Sequence, residues 1–311
     1  MDVLTDVMAA MRVGAPHSRR VAHATPFGWR FPSSAAAGFH IVLQGSCWLH
    51  PPEGEPFLLN AGDLVFLSRG CTHALADQLS TPLIDAALPL ADARARNSSA
   101  PNSGLASHAT ASTVLLCGAY LFDRARLHPL LLELPDVFRI VSRVGSHPEL
   151  RSAIELLGAE LEHDWTGSTA AIAAIVELLL IYILRNWIAG QRIEGTRTGW
   201  TAALNDPRTM AVLQHVHECP ERRWTLEAMA EIAGMSRSSF ARRFAELLGQ
   251  PPVTYVTWWR MTIAARWLRE TDAPIADICG RVGYSSEFAF AHAFKKEFGL
   301  APGSYRRRGK L

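Results

Sequence analysis

The sequence predicts an α+β protein, with a strand-rich front of sandwich or barrel type and an all-helical rear. Three observations predict it. Through roughly the first ninety residues, short apolar runs are broken by Gly, Pro and Asn, as in "FHIVLQGSCWLHPPEGEPFLLNAGDLVFLSRGCTHALAD". Closely spaced strands with turn signals of this kind build sandwiches and barrels. From Pro148 onward, apolar residues recur at helical spacing instead. The last third, finally, contains the same helical pattern twice.

A length of 311 residues suits two domains, and 49% hydrophobic with 19% charged residues suits a globular chain. The net charge of +2 conceals an uneven distribution. From Gly199 onward there are 16 Lys/Arg against 11 Asp/Glu, and before it 15 against 18. A basic rear beside an acidic front points to a polyanion as partner of the rear. Cys47, Cys71, Cys117, Cys219 and Cys279 form no CxxC pair, which excludes a zinc ribbon of that spacing. The opening "MDVLTDVMAAMRVG" lacks the basic and long apolar regions of a secretory signal. The stretch "AAIAAIVELLLIYILRNWIAG" has Glu177 in its middle and Arg185 near its end, short of the roughly 20 clean apolar residues of a membrane span. A helix apolar all round is more often buried in a core or an oligomer interface. The expectation is a soluble, cytoplasmic protein with no membrane partner.

Along the chain, Ala91–Thr113 is rich in Ala, Ser and Asn, has no apolar period and reads as a loop; "TVLLCGAYLFD" then resumes strand. "PELRSAIELLGAELEHDW" begins with Pro at a favoured first-turn position. "GSTAAIAAIVELLLIYILRNWIAG" follows, with Ser168 as N-cap and Gly190 as stop, so the two helices form a hairpin. The predicted domains are 1–190, with the hairpin as a candidate dimer interface, 191–204 as linker and 205–311 for binding nucleic acid.

The repeat supports the last assignment. "LEAMAEIAGMSRSSFARRFAELLGQPPVTY" aligns with "IADICGRVGYSSEFAFAHAFKKEFGLAPGSY". Gly234 and Ser236 fall on Gly283 and Ser285 at an offset of 49. Phe240, Phe244, Gly249, Pro252 and Tyr255 fall on Phe290, Phe294, Gly299, Pro302 and Tyr305 at an offset of 50, with the extra residue expected just after the turn. Each copy reads as a short helix, a Gly-centred turn, a Ser N-cap and a second helix, with "VTYVTWWRMTIAARWLRET" linking them. That is a helix-turn-helix, whose second helix enters the major groove with its N-terminal residues at base edges.

These residues carry a family resemblance. Residues of about 205 to 308, with the signature "ADICGRVGYSSEFAFAHAFKKEFGLAPGSYRRR", resemble the DNA-binding domain of AraC-type transcription regulators. The front, with "FHIVLQGSCWL", "GDLVFLSRGCTHAL" and "LLCGAYLF", resembles the cupin sensor domain of one AraC-type subfamily. The resemblance implies a cupin-like β-barrel with a helical hairpin, then two helix-turn-helix units on one linking helix. Double-stranded DNA is the implied partner.

On the first reading helix the candidate DNA-binding residues are Arg237, Ser238, Ser239, Ala241, Arg242 and Arg243. Arg242 can pair bidentately with guanine and Ser238 can bond either base type, while Arg237 and Arg243 suit phosphates. On the second they are Glu287, Phe288, Ala289 and His292, with Ala291 on the same face and Lys295 and Lys296 suited to phosphates. Glu287 can accept from cytosine, and Ala or Phe can meet a thymine methyl. His292 stands where the first copy has Arg242. The tail "RRRGK" is either a phosphate contact or solvated surface. Phe290, Phe294 and Phe298 are expected to pack, and Cys279 and Cys219 to do no chemistry.

In the front, "GDLVFLSRGCTH" resembles the second cupin motif, but the first motif supplies only His40 and no Glu. His40 and His73 alone cannot complete a three-ligand open metal site, so no metal, cofactor or catalytic residue is assigned. Three readings stay open for Cys71, His73 and Cys117: packed interior residues, a redox pair with Cys71 acidified by His73 or Arg69, or a metal site completed by cysteine. A small organic effector inside the barrel is compatible with each. The reading is therefore a dimeric regulator, not an enzyme; the rivals are a cupin oxygenase or isomerase with a helical appendage and a protein-interaction adaptor.

Overall fold

The computed structural model describes residues 2–86, 112–122, 128–142, 146–163, 165–193 and 198–309. The strands are β1 His17–His23, β2 Gly28–Phe31, β3 Ala36–Gln44, β4 Ser46–His50, β5 Phe57–Asn60, β6 Leu64–Leu67, β7 His73–Ala76, β8 Ile84–Asp85, β9 Thr113–Leu121 and β10 Val137–Ile140. The first six helices are α1 Val3–Met11, α2 Pro129–Leu132, α3 Pro148–Glu162, α4 Ser168–Ile193, α5 Gly199–Leu204 and α6 Pro207–Glu218. The remainder are α7 Leu226–Ile232, α8 Arg237–Leu248, α9 Pro252–Glu270, α10 Ile275–Arg281, α11 Glu287–Phe298 and α12 Pro302–Gly309. They divide into two compact units. One holds Val13–Phe122 and Leu134–Gly190; the other holds Met1–Arg12, Asp123–Glu133 and Gln191–Leu311.

The sheet unit has two five-stranded sheets, ordered β1-β9-β3-β6-β10 and β5-β4-β7-β2-β8. Neighbours are antiparallel except β2 and β8. The expected barrel is thus two facing sheets that do not close among the described residues. Val42, Val65, Leu67 and Leu115 from one sheet meet Leu49, Leu59 and Leu75 from the other, together with Phe27, Cys47 and Cys117. Covering such a side chain is worth roughly 1.5–3 kcal/mol. β3 and β9 are buried nearly end to end, which explains why "AAGFHIV" and "TVLLCGAY" read as continuous apolar runs. Of the expected Ala91–Thr113 loop, only Ser112 and Thr113 lie within the described residues, and Thr113 opens β9.

The hairpin forms as expected, with Ser168 Oγ donating to Glu160 Oε2 at 2.7 Å. In α4 the buried residues Val176, Leu179, Leu180, Ile183, Leu184 and Trp187 make one helical stripe, and Tyr120 Oη donates to the Val176 carbonyl at 2.7 Å. Gly190 does not stop the helix, which continues to Ile193. An interior Gly costs only about 1 kcal/mol, less than such a packed stripe contributes. By length and composition alone, Ser168–Gln191 is apolar enough to cross a membrane, more than Glu177 and Arg185 suggested, and a third of the window is buried.

The helical unit holds two additions to the sequence reading. α1 lies where strands were expected: Asp2 accepts from the Leu4 N–H as N-cap, and Val3, Leu4, Val7, Ala10 and Met11 are buried. The segment 191–204, read as linker, ends in α5, whose Trp200 is 1% exposed against His128, with ring centroids 4.2 Å apart. Glu133 accepts from the Trp200 and Thr201 N–H groups at 2.6 and 3.4 Å and so caps α5 from a distant part of the chain. A cap supplied across 67 residues is not visible in local sequence.

Candidate functional site

The two helix-turn-helix units stand on α9, 19 residues and so about 28 Å long. In the first, α7 ends at Ile232 and Ser236 caps α8 by accepting from the Ser239 N–H. In the second, α10 ends at Arg281 and the cap on α11 is Ser286, accepting from the Ala289 N–H. The cap offset is therefore 50, and the extra residue sits within the turn, between Gly283 and Ser286, rather than after it. Gly234 and Gly283 both adopt positive φ, +61° and +78°, where a Cβ is unfavourable.

The phenylalanines pack as expected: Phe290 and Phe294 are fully buried against Met261, Ala264 and Leu268 of α9, and Phe298 stacks on Phe294 at 4.6 Å. Cys279 is buried in the same core with its thiol donating to the Tyr284 carbonyl, which fits its reading as a small core residue. Phe288, by contrast, is 84% exposed. Glu287, Ala289, His292, Lys295 and Lys296 are exposed beside it, with Ala291 half-buried. On α8, Arg237, Ser238 and Arg242 are exposed, and Ser239, Ala241 and Arg243 are half-buried. Arg242 reaches only to Glu246, at 3.9 Å on its own helix.

Two arginines expected at phosphates hold other partners. Arg237 is paired with Glu227 at 2.6 Å, which lowers the Glu227 carboxyl pKa. Arg243 lies 3.4 Å from Asp206, the N-cap of α6, and so ties α8 to α6. In the tail, Arg306 donates to the Ala273 carbonyl and Arg307 to Ser304 Oγ, while Lys310 lies outside the described residues.

In the sheet unit, the effector candidates fall into one chain of contacts. His40 Nδ1 is 3.0 Å from Cys117 Sγ, His40 Nε2 is 2.8 Å from His73 Nε2, and His73 Nδ1 is 2.9 Å from the Cys71 carbonyl. The carbonyl can only accept, so His73 carries its proton on Nδ1 and its Nε2 accepts. His40 then donates from Nε2, and its Nδ1 accepts the Cys117 S–H. Every member is satisfied in its neutral form. Burial pushes both imidazoles down and the Cys117 thiol up to about 12, consistent with that assignment. Phe31 stacks on His73 at 4.8 Å.

The geometry departs from the redox expectation at Cys71. His73 addresses its backbone, not its sulfur, and Arg69 is held by Asp136 at 3.2 Å. Burial and Asp136 raise the Cys71 thiol instead of acidifying it. Beside it lies a cavity of about 20 Å³ lined by Phe31, Gly70, Cys71 and His73. It suits a water, not a drug-sized effector, which occupies about 300 Å³ or more. Among the described residues no group of three or more His, Cys, Asp or Glu is disposed to hold a metal ion.

A facing-sheet unit and a unit with two helix-turn-helix heads on one helix define a DNA-binding protein of two parts. Residues 2–189 match the family model described as cupin, and 229–308 that described as helix-turn-helix domain. The chain is 31% identical over 309 residues to a putative AraC-like transcription regulator of Streptomyces lividans, covering 99% of this chain and 98% of that one. It is 30% identical over 286 residues to the RCS-specific transcriptional activator RclR of Escherichia coli, covering 90% and 89%. The DNA-binding domain of AdpA, solved with a target DNA, is similar at 31% identity and a TM-score of 0.32, over 33% of this chain and 92% of that one. The chain belongs to the AraC-like transcription regulators that carry an N-terminal cupin domain.

Proposed function

We propose that this regulator acts as a cytoplasmic homodimer that reads DNA through α8 and α11 and is set by a signal in its cupin unit, without catalysing a reaction. The observation that carries the DNA reading is the pair of Ser-capped helices whose first two turns expose Arg237, Ser238 and Arg242, and Glu287, Phe288, Ala289 and His292. Arg242 is assigned to guanine, and Ser238 and Ser239 to bases or backbone. Ala241 and Ala289 allow close approach, and Phe288 is assigned to a thymine methyl. Arg237 exchanges Glu227 for a phosphate, Lys295 and Lys296 meet phosphates, and Arg243 positions α8. Glu287 and His292 make the second box poorer in charged readout than the first.

Dimerisation through α3 and α4 is supported by Leu156, Trp165 and Leu178, which remain 57%, 53% and 37% exposed on the hairpin. This partner, not a membrane, is the proposed cover for the apolar helix. The signal is assigned to His40, His73 and Cys117. A signal that reaches them breaks a fully satisfied buried network, with Cys71 at its end through the backbone. Selection of bound duplexes from random DNA by the purified protein tests the reading. It should enrich paired boxes that contain a guanine lost from the selection when Arg242 is replaced by Ala.

A further inference from the structure

The two reading helices share a frame but differ in their first turn. With the caps Ser236 and Ser286 aligned, Glu287 stands where α8 has Arg237, and Phe288 stands where it has Ser238. In the first unit Arg237 is held by Glu227 of α7 at 2.6 Å. In the second, Ala276 of α10 takes the place of Glu227 and is followed by Asp277, so α10 offers Glu287 no cation there. Phe288 is 84% exposed, while Phe290 and Phe294 of the same helix are fully buried.

Both residues are anomalous on a surface that meets a polyanion. Phosphates repel a carboxylate, so Glu287 suits such a surface only where a base donor meets it. An exposed phenyl ring gains free energy when binding covers it. The major groove presents two base donors, the amino groups of adenine and cytosine. Adenine places its N7 acceptor beside that donor, against a carboxylate, and cytosine does not. The apolar feature of the groove is a C5 methyl. Consecutive Cα atoms stand about 3.8 Å apart, close to the ~3.4 Å of one base step, so both side chains reach one base edge. A thymine under Phe288 would turn its O4 towards Glu287, two acceptors with no proton between them. 5-Methylcytosine has the amino donor at that place and the same methyl on the adjacent ring carbon.

We propose that Glu287 and Phe288 together recognise one 5-methylcytosine, with the Glu287 carboxylate accepting from its N4 amino group and the Phe288 ring covering its C5 methyl. The inference rests on α11 being a DNA-reading helix, and it gives the methyl met by Phe288 to cytosine rather than thymine. Ala289, small and exposed beside them, leaves room for the approach. Methylation of one cytosine in the second box then strengthens binding.

The test selects bound duplexes with the full chain from two random pools, one ordinary and one with 5-methylcytosine in place of cytosine. Each methylcytosine of the duplex selected from the second pool is then returned singly to cytosine or replaced by thymine, and binding is read by fluorescence anisotropy. At one position or more, cytosine should bind about three- to fivefold more weakly, as the loss of one covered methyl implies. Thymine at that position should bind about tenfold or more weakly. Phe288→Ala should erase the first difference. Glu287→Gln, whose amide can also donate to O4, should reduce the second to about threefold or less. Both side chains are exposed, so neither variant disturbs the core. Enrichment from neither pool contradicts the DNA reading itself, and the proposal with it. Three results overturn the proposal alone, with the DNA reading intact: enrichment with no position at which the methyl strengthens binding, a methyl advantage that survives in Phe288→Ala, or thymine bound as tightly as methylcytosine.

Discussion

The Nε2 atoms of His40 and His73 lie 2.8 Å apart in the sheet interior, so one nitrogen carries the shared proton and the other accepts it. Protonating His73 would bring two N–H donors face to face across that contact. The pair, with His128 and His217 of the other unit, is held neutral by burial, which depresses all four pKa values. Below the unfolded histidine value near 6.5, the unfolded chain takes up protons that the folded chain refuses. Stability therefore falls with falling pH, by about 1.4 kcal/mol per pH unit for each such histidine, until its folded pKa is reached. Urea midpoints measured from pH 7.5 to 5 should decline steeply below 6.5; a flat profile would mean that the rings titrate normally.

Cys117 terminates that network as donor to His40 Nδ1. Cys117→Ala should leave a buried acceptor unpaired and cost about 1–3 kcal/mol, while Cys117→Ser should recover part of it. Chemical denaturation of the two variants separates this from simple loss of volume, which would rank Ala at or above Ser.

The two turn glycines are not equivalent. A Cβ on Gly234 would meet nothing within 4 Å, whereas one on Gly283 would lie 2.6 Å from the Glu221 carbonyl oxygen and 2.7 Å from Arg260 Nη2. Gly234→Ala should cost only the left-handed backbone penalty, about 1–2 kcal/mol. Gly283→Ala should cost roughly two to three times as much, since backbone must also move. Equal melting losses would contradict the close approach.

Arg260 fills that junction. Its Nε and Nη2 donate to the Pro220 and Arg222 carbonyls at 2.7 and 2.8 Å, and its guanidinium lies 5.8 Å from the Tyr284 ring centre. Thus the loop before α7 and the turn before α11 share one side chain. Arg260→Lys keeps the charge but not the fork. It should leave the protein folded while reducing discrimination between duplexes whose two boxes differ in spacing by one base pair. Binding titrations on such a spacing series would read the effect.

Much of this was legible in the chain. The two capped helices, the linking helix and the buried Phe290 and Phe294 follow from Ser, Gly and four-residue Phe spacing, because caps and apolar period are local. What escaped was non-local. The contact of His40 with both His73 and Cys117 needs β3 to bring together residues from β7 and β9, separated by 33 and 77 positions. Trp200 looked like part of a polar linker because its cap, Glu133, comes from elsewhere. α1 could have been found, since Asp2 precedes an apolar stripe at Val3, Val7, Ala10 and Met11.

The most direct measurement is fluorescence anisotropy of the purified full chain and its Arg242→Ala variant on a selected duplex and a scrambled duplex, across a salt series. The account predicts that the wild type prefers the selected duplex by about 10³-fold or more. Affinity should fall steeply with salt, and Arg242→Ala should lose about 1–3 kcal/mol on the selected duplex alone. Equal binding of both duplexes by the wild type, or an Arg242→Ala variant that binds the selected duplex as tightly as the wild type, would contradict it.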